Sequence, residues 1–230
     1  MNRQLPLGLQ LQASARFSNF LAGPNQEPVD QLKQTAAGTG DPFFLLWGAP
    51  GSGKSHLLQA ACHLAADRGR TVAYVSLAEP DGLPPELLED WEGYQLVCID
   101  DVHCVAGNRR WEEALFNLYN RIRERYGSLI VSSVSMPAGH TFRLPDLASR
   151  LGWGLVYQLH PLDDEQRLAA LQQRASLRGC EMPDETGRYL LRRLPRDMPA
   201  LFELLDRLDE ASLAAQRKLT VPFVKSVLGL

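Results

Sequence analysis

The segment Gly48-Ala49-Pro50-Gly51-Ser52-Gly53-Lys54-Ser55 decides the fold predicted for this chain, because it is a complete G-x-x-x-x-G-K-S motif. An apolar run, Phe43–Trp47, precedes the motif and predicts a buried strand. A helical pattern from Lys54 to about Arg68 follows it. This strand–loop–helix context is the one in which the motif binds phosphate. An ordinary glycine-rich turn between a strand and a helix is the alternative, and the full motif makes it the weaker one.

The residue types of the motif suit a nucleotide phosphate. Glycines let backbone N–H groups turn inward around a phosphate, and the start of the following helix adds the positive end of its dipole. Lys54 is expected to reach the β- and γ-phosphates, and the Ser55 hydroxyl to ligate Mg²⁺. The predicted nucleotide-binding residues of this region are Gly48, Pro50, Gly51, Ser52, Gly53, Lys54, Ser55 and His56. For His56, a packed position on the helix is the more ordinary role.

A second apolar run ends in two acids and predicts the other half of such a site. Leu96–Ile99 is a strand candidate, and Asp100 and Asp101 follow it. A P-loop protein places its magnesium-directing aspartate at the end of such a strand, which here is Asp100. Asp101 is then expected to face the γ-phosphate and to orient a water. A capping role at the end of the strand is the alternative for Asp101.

The alternation of strands and helices predicts an α/β fold with a five-stranded parallel sheet covered on both faces. Residues 1–42 look irregular, since they are rich in Gln, Asn, Gly and Pro. After about Leu162 only helical patterns remain. The expected domains are a flexible tail over 1–16, an α/β nucleotide-binding domain over 17–161 and a small all-helical domain over 162–230. The further strand candidates are Thr71–Val75, Leu129–Ser133 and Leu155–Leu159.

Composition sets limits on the function. The chain has 230 residues, a formal net charge of −3 and 45% hydrophobic residues. A mildly acidic chain is not expected to coat nucleic acid through its bulk charge. The opening MNRQLPLGLQ lacks the apolar core of a signal peptide, and no apolar run approaches the ~20 residues that span a bilayer. The four cysteines show no C-x-x-C spacing, so we expect a reducing, cytoplasmic compartment and no membrane partner.

Taken together, the phosphate loop, the Ile99-Asp100-Asp101 strand end and the helical C-terminal region resemble the AAA+ ATPases, and more narrowly the DnaA-like family. Phe17-Ser18-Asn19-Phe20 resembles the F-x-N-F segment that lies against the nucleotide base in that family, which implies base contacts for Phe17 and Phe20. Ser149–Gly154 resembles the S-R-F-G-W-G stretch with the family's arginine finger, which implies that role for Arg150. A surface salt bridge is the alternative for Arg150.

DnaA, the bacterial replication initiator, has a helix-turn-helix domain to which nothing in this chain corresponds. The resemblance is therefore to the shorter members of the family, which inactivate the initiator. It implies an adenine nucleotide, ADP or ATP with Mg²⁺, and hydrolysis promoted by Arg150 in trans on ATP-bound DnaA. Gln4-Leu5-Pro6-Leu7 resembles the Q-L-x-L motif by which partners bind the sliding clamp, the DNA polymerase III beta subunit. DNA is then contacted only indirectly, through the clamp. A disordered tail without a partner is the alternative for Gln4–Leu7.

Two departures from the family pattern bear on hydrolysis by the chain itself. Ser133 is a sensor candidate, but Val134 stands where related proteins carry an acid. Pro199 stands where a sensor arginine is usual, and Arg196 is a candidate substitute. Slow intrinsic hydrolysis is therefore expected. An autonomous AAA+ ATPase acting as an initiator or loader accessory is the alternative function, and homo-oligomerisation stays open.

Overall fold

The structure is a computed structural model that describes residues 11–137, 142–194, 198–215 and 217–229. The chain forms two compact units that meet in sequence between His160 and Pro161. Four residues, Leu21–Pro24, group with the second unit although the predicted α/β domain included them. Gly23 packs against the side chains of Leu162 and Gln166, which belong to the second unit. A Cβ added to Gly23 would lie 3.1 Å from both side chains.

The first unit contains a five-stranded, all-parallel sheet in the order β2-β3-β4-β1-β5, which confirms the predicted architecture. Its strands are β1 (Phe43–Trp47), β2 (Val72–Ser76), β3 (Leu96–Asp100), β4 (Ser128–Ser133) and β5 (Leu155–Gln158). The register pairs Phe43 with Leu129 and Phe44 with Leu155. Because the strands are parallel, the loops that follow β1 and β3 lie at the same edge of the sheet.

Helices cover both faces of this sheet. They are α1 (Gln26–Ala37), α2 (Lys54–Asp67), α3 (Arg109–Glu124) and α4 (Pro145–Leu151). Alternate strand residues such as Leu45, Val75 and Ile99 join one buried cluster with Leu118 of α3 and Leu147 of α4. The other face packs against α2, which in turn contacts α1. Both faces are apolar because a parallel sheet is buried on both sides.

The prediction of an irregular N-terminal region was wrong over Gln26–Ala37, which is α1. Its apolar stripe is narrow, and Val29, Leu32 and Ala36 are its buried members. Polar residues surround that stripe, and Gly38 ends the helix in the left-handed conformation with a φ of 79°. Packing on α2 stabilises such a helix more than local propensity does, so composition alone concealed it.

The second unit is helical, with α5 (Asp164–Leu177), α6 (Asp184–Arg193), α7 (Met198–Ala215) and α8 (Val221–Leu228). Asp163 and Gln166 form the capping box that begins α5. Thr220 is the N-cap residue of α8, and its side chain makes no capping hydrogen bond. The shared core contains Leu168, Leu171, Leu190, Leu201, Leu205, Leu208, Phe223 and Val224.

Ion pairs between α5 and the middle of α7 supplement this core. Arg174 donates to both carboxylate oxygens of Asp206, at 3.2 and 2.8 Å. Arg178 donates to Asp206 at 2.9 Å and to the buried Asp209 at 2.7 Å. These pairs fix the register of the two helices.

Among the described helices of both units, none has the length and hydropathy of a membrane-spanning segment.

Candidate functional site

The phosphate loop begins where β1 ends, and its conformation requires glycine. Gly51 and Gly53 have φ angles of 74° and 96°, which side chains rarely adopt. A Cβ on Gly48 would lie 2.6 Å from the carbonyl oxygen of Leu159. Gly48 also donates its N–H to the Ser133 carbonyl oxygen at 3.2 Å, which ties the loop to the end of β4. Pro50 and Gly51 are exposed at the tip of the loop.

Lys54 and Ser52 carry the polar chemistry inside the loop. Lys54 is buried, and its Nζ donates to the carbonyl oxygens of Gly48 at 2.8 Å and Ala49 at 3.1 Å. Burial lowers the pKa of Lys54, although Asp101 and Asp100 oppose that shift through their charges. The buried Ser52 hydroxyl has no hydrogen-bond partner among the described residues.

These features fit a bound phosphate. A buried hydroxyl without a partner is unfavourable, and a phosphate oxygen would satisfy it. Lys54 is held by neutral carbonyl oxygens rather than by a carboxylate, so its charge remains available to an anion. The first turn of α2 contains no acidic residue, and Ser55 is exposed there. The start of α2 therefore presents positive potential and a hydroxyl at the loop.

The two acids that end β3 differ in environment. Asp100 is buried, and each of its oxygens accepts a hydrogen bond, one from the Ser132 hydroxyl and one from the Tyr74 hydroxyl at 3.1 Å. Asp101 is partly exposed and has a left-handed φ of 57°. Its N–H donates to the Ser132 hydroxyl at 2.9 Å. Ser132 thus links the two acids and fixes the turn that follows β3.

The charges of this region also interact. Burial and the neighbouring Asp100 carboxylate raise the pKa of Asp101, and Lys54 opposes that shift. Burial and Asp100 also raise the pKa of Tyr74. Lys54, Asp100 and Asp101 therefore interact through their charges where β1 and β3 end.

The raised pKa of Asp101 gives a prediction about stability. The folded chain binds the Asp101 proton more tightly than the unfolded chain, so this group lowers stability as pH rises from about 3.8 through the folded pKa. Asp101→Asn should therefore raise the melting temperature at neutral pH, without nucleotide, and the gain should shrink toward pH 3. Thermal unfolding across pH checks this. A variant less stable than the wild type at pH 7 would contradict it.

The segment before α1 reaches the phosphate loop. The Phe20 ring lies over Gly53, where a Cβ would be 2.6 Å from the ring. The Phe20 and His56 rings have centroids 5.5 Å apart, and a 2.9 Å hydrogen bond joins His56 Nε2 to the Arg16 carbonyl oxygen. The structure thus brings Phe20 and His56 to the loop. Phe17 belongs to the same segment, and Lys33 Nζ of α1 lies 5.7 Å from the centroid of the Phe17 ring.

Arg150 lies near the amino ends of the strands, whereas the phosphate loop follows the carboxyl end of β1. It is in the last turn of α4, and the chain then passes through Gly154 into β5. A Cβ on Gly154 would clash with the Phe43 carbonyl oxygen, which places Gly154 beside the start of β1. The phosphate loop follows the end of β1, roughly 13 Å away at ~3.3 Å per strand residue. The structure therefore does not bring Arg150 to the phosphate loop of its own chain.

The structure does not describe some of the predicted site residues, and two residues that contact the acids of β3 were not predicted. Gln4, Leu5, Pro6, Leu7 and Arg196 lie outside the described residues. Ser133 is buried at the end of β4, but the hydroxyl that contacts the acids belongs to Ser132. Tyr74 was not predicted either. Finding Ser132 and Tyr74 requires the registers of β2, β3 and β4, which the sequence does not encode locally.

A protein-only metal site is absent from the part of the chain that is described, where no group of three or more His, Cys, Asp or Glu residues could hold a metal. The predicted magnesium ion would be held by a nucleotide's phosphates together with Ser55 and Asp100. Ser55 is exposed at the loop, and Asp100 is within electrostatic reach of Lys54. Bound there, Mg²⁺ would neutralise phosphate charge.

Strand order defines the class of protein. Strand β4 lies between β1, which carries the phosphate loop, and β3, which carries the acids, and a separate helical domain follows the sheet. This is the AAA+ arrangement of P-loop proteins, and the chain has the AAA+ fold.

Comparisons with known proteins define it further. Residues 164–228 match the family model described as Hda, lid domain. Domain III of Thermotoga maritima DnaA is 22% identical, with a TM-score of 0.82 over 96% of this chain and 98% of that one. AMPPCP-bound DnaA from Aquifex aeolicus is 22% identical, with a TM-score of 0.71 over 85% of this chain and 65% of that one. The Thermotoga maritima RuvB branch migration motor is more distant, at 18% identity and a TM-score of 0.65 over 89% and 68%. The chain therefore has a DnaA-like AAA+ fold, and its residues 164–228 are similar to the Hda lid domain.

Proposed function

We propose that this chain is an adenine-nucleotide-binding regulator of chromosome replication that promotes hydrolysis of the ATP bound to DnaA and so prevents re-initiation. One observation carries the proposal. Arg150 lies 6.0 Å from the Tyr119 ring, which stacks on Phe43 at the amino end of β1, whereas its own phosphate loop follows the carboxyl end of β1. An arginine so placed is suited to the nucleotide of a neighbouring molecule. Supplied across an interface, an arginine finger accelerates phosphoryl transfer by roughly 10³–10⁵.

The surroundings of Arg150 support this role. No Asp or Glu of the described residues forms a salt bridge with it. The guanidinium lies instead over aromatic rings, at 4.7 Å from Trp153 and 6.0 Å from Tyr119. Stacking leaves the N–H groups in the plane of the guanidinium free to bond phosphate oxygens. The Hda-type lid supports a replication regulator rather than an initiator.

The chain's own nucleotide has a separate role. We place its phosphates at Gly48–Ser55, its base beside Phe17, Phe20 and His56, and Mg²⁺ at Ser55 and Asp100. ADP and ATP both suit this set, and bound nucleotide stabilises the fold by mass action. The structural similarity to AMPPCP-bound DnaA supports a bound nucleotide in this chain. Val134 and Pro199 argue for slow intrinsic hydrolysis, with Ser133 and Arg196 as the remaining sensor candidates.

A reconstituted hydrolysis assay tests the proposal. DnaA is loaded with labelled ATP and mixed with the full chain, with or without DNA-loaded sliding clamp. The proposal expects faster loss of the γ-phosphate only when this chain is added, and more so with the clamp. Unchanged hydrolysis in every mixture would overturn it.

As a cytoplasmic replication regulator, the chain would meet DNA only through the clamp.

The clamp contact is a separate part of the proposal. It rests on Gln4-Leu5-Pro6-Leu7, whose amide and leucine side chains suit a polar rim and an apolar pocket. Gln4→Ala with Leu5→Ala should weaken binding to the DNA polymerase III beta subunit at least about tenfold and leave the melting temperature unchanged. Surface plasmon resonance measures the affinity, and Gln10→Ala is the matched control. Retained binding by the double variant would place the contact elsewhere.

An autonomous AAA+ ATPase is the second candidate function, as a homo-oligomer or as an accessory of an initiator or loader. The observation in its favour is the electrostatic grouping of Lys54 with Asp100 and Asp101, the set that a hydrolytic P-loop site needs. Multiple-turnover ATPase measurements on the chain alone distinguish the two. Turnover that rises steeply with protein concentration would favour the autonomous, oligomeric enzyme.

A further inference from the structure

A cluster of two arginines and two aromatic rings surrounds the end of α4. Trp153 is half-exposed, with 52% of its surface accessible. The Arg150 guanidinium lies 4.7 Å from its ring centroid, and the Arg123 guanidinium of α3 lies 5.9 Å from it. The backbone N–H of Trp153 donates to the Arg150 carbonyl oxygen at 3.0 Å, which holds the two residues close together in one turn. We call these residues, with Tyr119, the arginine–tryptophan cluster.

The cluster leaves its charges without anionic partners. Neither Arg123 nor Arg150 forms a salt bridge with any described Asp or Glu. Both guanidiniums are close enough to Tyr119 that their charges lower its pKa, against the larger effect of burial, which raises it. The Tyr119 hydroxyl is buried and has no hydrogen-bond partner among the described residues. The aromatic rings are therefore what holds Arg150 in place.

A free arginine side chain loses about 2 kcal/mol of rotamer entropy when it is fixed. Stacking on an indole face offsets part of that cost before a partner arrives, since tryptophan is the strongest aromatic partner for a cation. A salt bridge would use the N–H donors of the guanidinium, whereas stacking does not. The Arg123 guanidinium lies over the same ring, and its charge repels that of Arg150.

We infer that Trp153 is the positioning residue of Arg150: its indole face holds the guanidinium flat, with its N–H groups free, before the partner's nucleotide is met. This rests on the proposed function, because it assigns Trp153 to the same trans site. Trp153 itself touches neither nucleotide nor phosphate in this scheme and acts only through Arg150.

Two measurements on the full chain test the inference. The first is the NMR signal of Arg150 Nε–H, assigned by comparison with Arg150→Lys, which lacks it. Stacking on the indole should shift that signal upfield, and Trp153→Leu should return it toward the value of exposed arginines. An unshifted signal in the wild type would overturn the inference whatever the activity shows.

The second measurement is a double-mutant cycle in the DnaA-ATP hydrolysis assay. Trp153→Leu should lower the maximal stimulated rate about 2- to 30-fold, the range that cation–π stacking allows, and should change the half-saturating concentration less. Trp153→Phe should recover part of the rate. In an Arg150→Ala background, Trp153→Leu should cost nothing further. Tyr126→Ala removes another exposed aromatic residue and serves as the control.

The outcomes separate this inference from the proposed function. A fully active Arg150→Ala would overturn the proposed function, and the inference with it. An inactive Arg150→Ala beside a fully active Trp153→Leu would overturn only the inference. A further loss from Trp153→Leu in the Arg150→Ala background would show that Trp153 acts directly at the interface, which also contradicts a positioning role.

Discussion

Lys54→Ala is expected to abolish measurable nucleotide binding. The Lys54 ammonium is buried in the phosphate loop and held by two carbonyl oxygens, with no carboxylate of its own. Hydrogen bonds from a charged donor are worth roughly 1.5–3 kcal/mol each, so the affinity for ADP and ATP should fall at least about 100-fold. Titration calorimetry with each nucleotide and Mg²⁺ measures this directly.

Thermal stability provides a second readout of the same variant. Nucleotide at 100 times its Kd stabilises the folded chain by about 2.7 kcal/mol, or roughly 5–10 °C at this size. Lys54→Ala should lose that shift. The variant alone should fold, because removing a buried charge also removes its desolvation cost. Lys218→Ala, whose ammonium is exposed, is the control. Unchanged nucleotide affinity in Lys54→Ala would exclude Gly48–Ser55 as the phosphate site.

Arg150→Ala is expected to have the opposite profile. Its own nucleotide affinity should stay within about twofold of the wild type, because Arg150 and the phosphate loop lie toward opposite ends of the strands. Clamp binding should also be unchanged. Stimulation of DnaA-bound ATP hydrolysis should fall by roughly 10³-fold or more, since a charge directed at the transition state contributes little in the ground state.

The lysine variant sharpens this prediction. Arg150→Lys retains the charge but loses the planar fork of donors that lies over the Trp153 ring. It should therefore be nearly as inactive as Arg150→Ala. Arg109→Ala, an exposed arginine paired with Glu113 on α3, is the matched control and should be fully active. A large loss of self-bound nucleotide in Arg150→Ala would instead make Arg150 a ligand of its own chain's site.

The fold followed from the sequence where the local signal was strong. Phe43–Trp47 and the loop after it were placed correctly because an apolar strand, glycines and a helix start carry separate, agreeing patterns. Helix α1 was missed because its apolar stripe is short and its stability comes from packing. In each case the local strength of the pattern decided the outcome.

The site was less accessible to sequence reasoning. Asp100 and Asp101 were predicted from their place after a strand, but their partners Ser132 and Tyr74 lie on other strands. Those contacts depend on sheet register, which is a long-range property. The stacking of Arg150 and Arg123 on Trp153 likewise joins α3 to the segment before β5. Spacing along one element does not encode such a cluster.

We propose that Arg150 acts on the nucleotide of a neighbouring DnaA molecule. Single-turnover hydrolysis of ATP preloaded on DnaA, with DNA-loaded clamp and no free nucleotide, measures that action. The wild-type chain and Arg109→Ala should accelerate loss of the γ-phosphate equally, while Arg150→Ala and Arg150→Lys leave it at the rate of DnaA alone. Acceleration by Arg150→Ala equal to that of the wild type would contradict the claim.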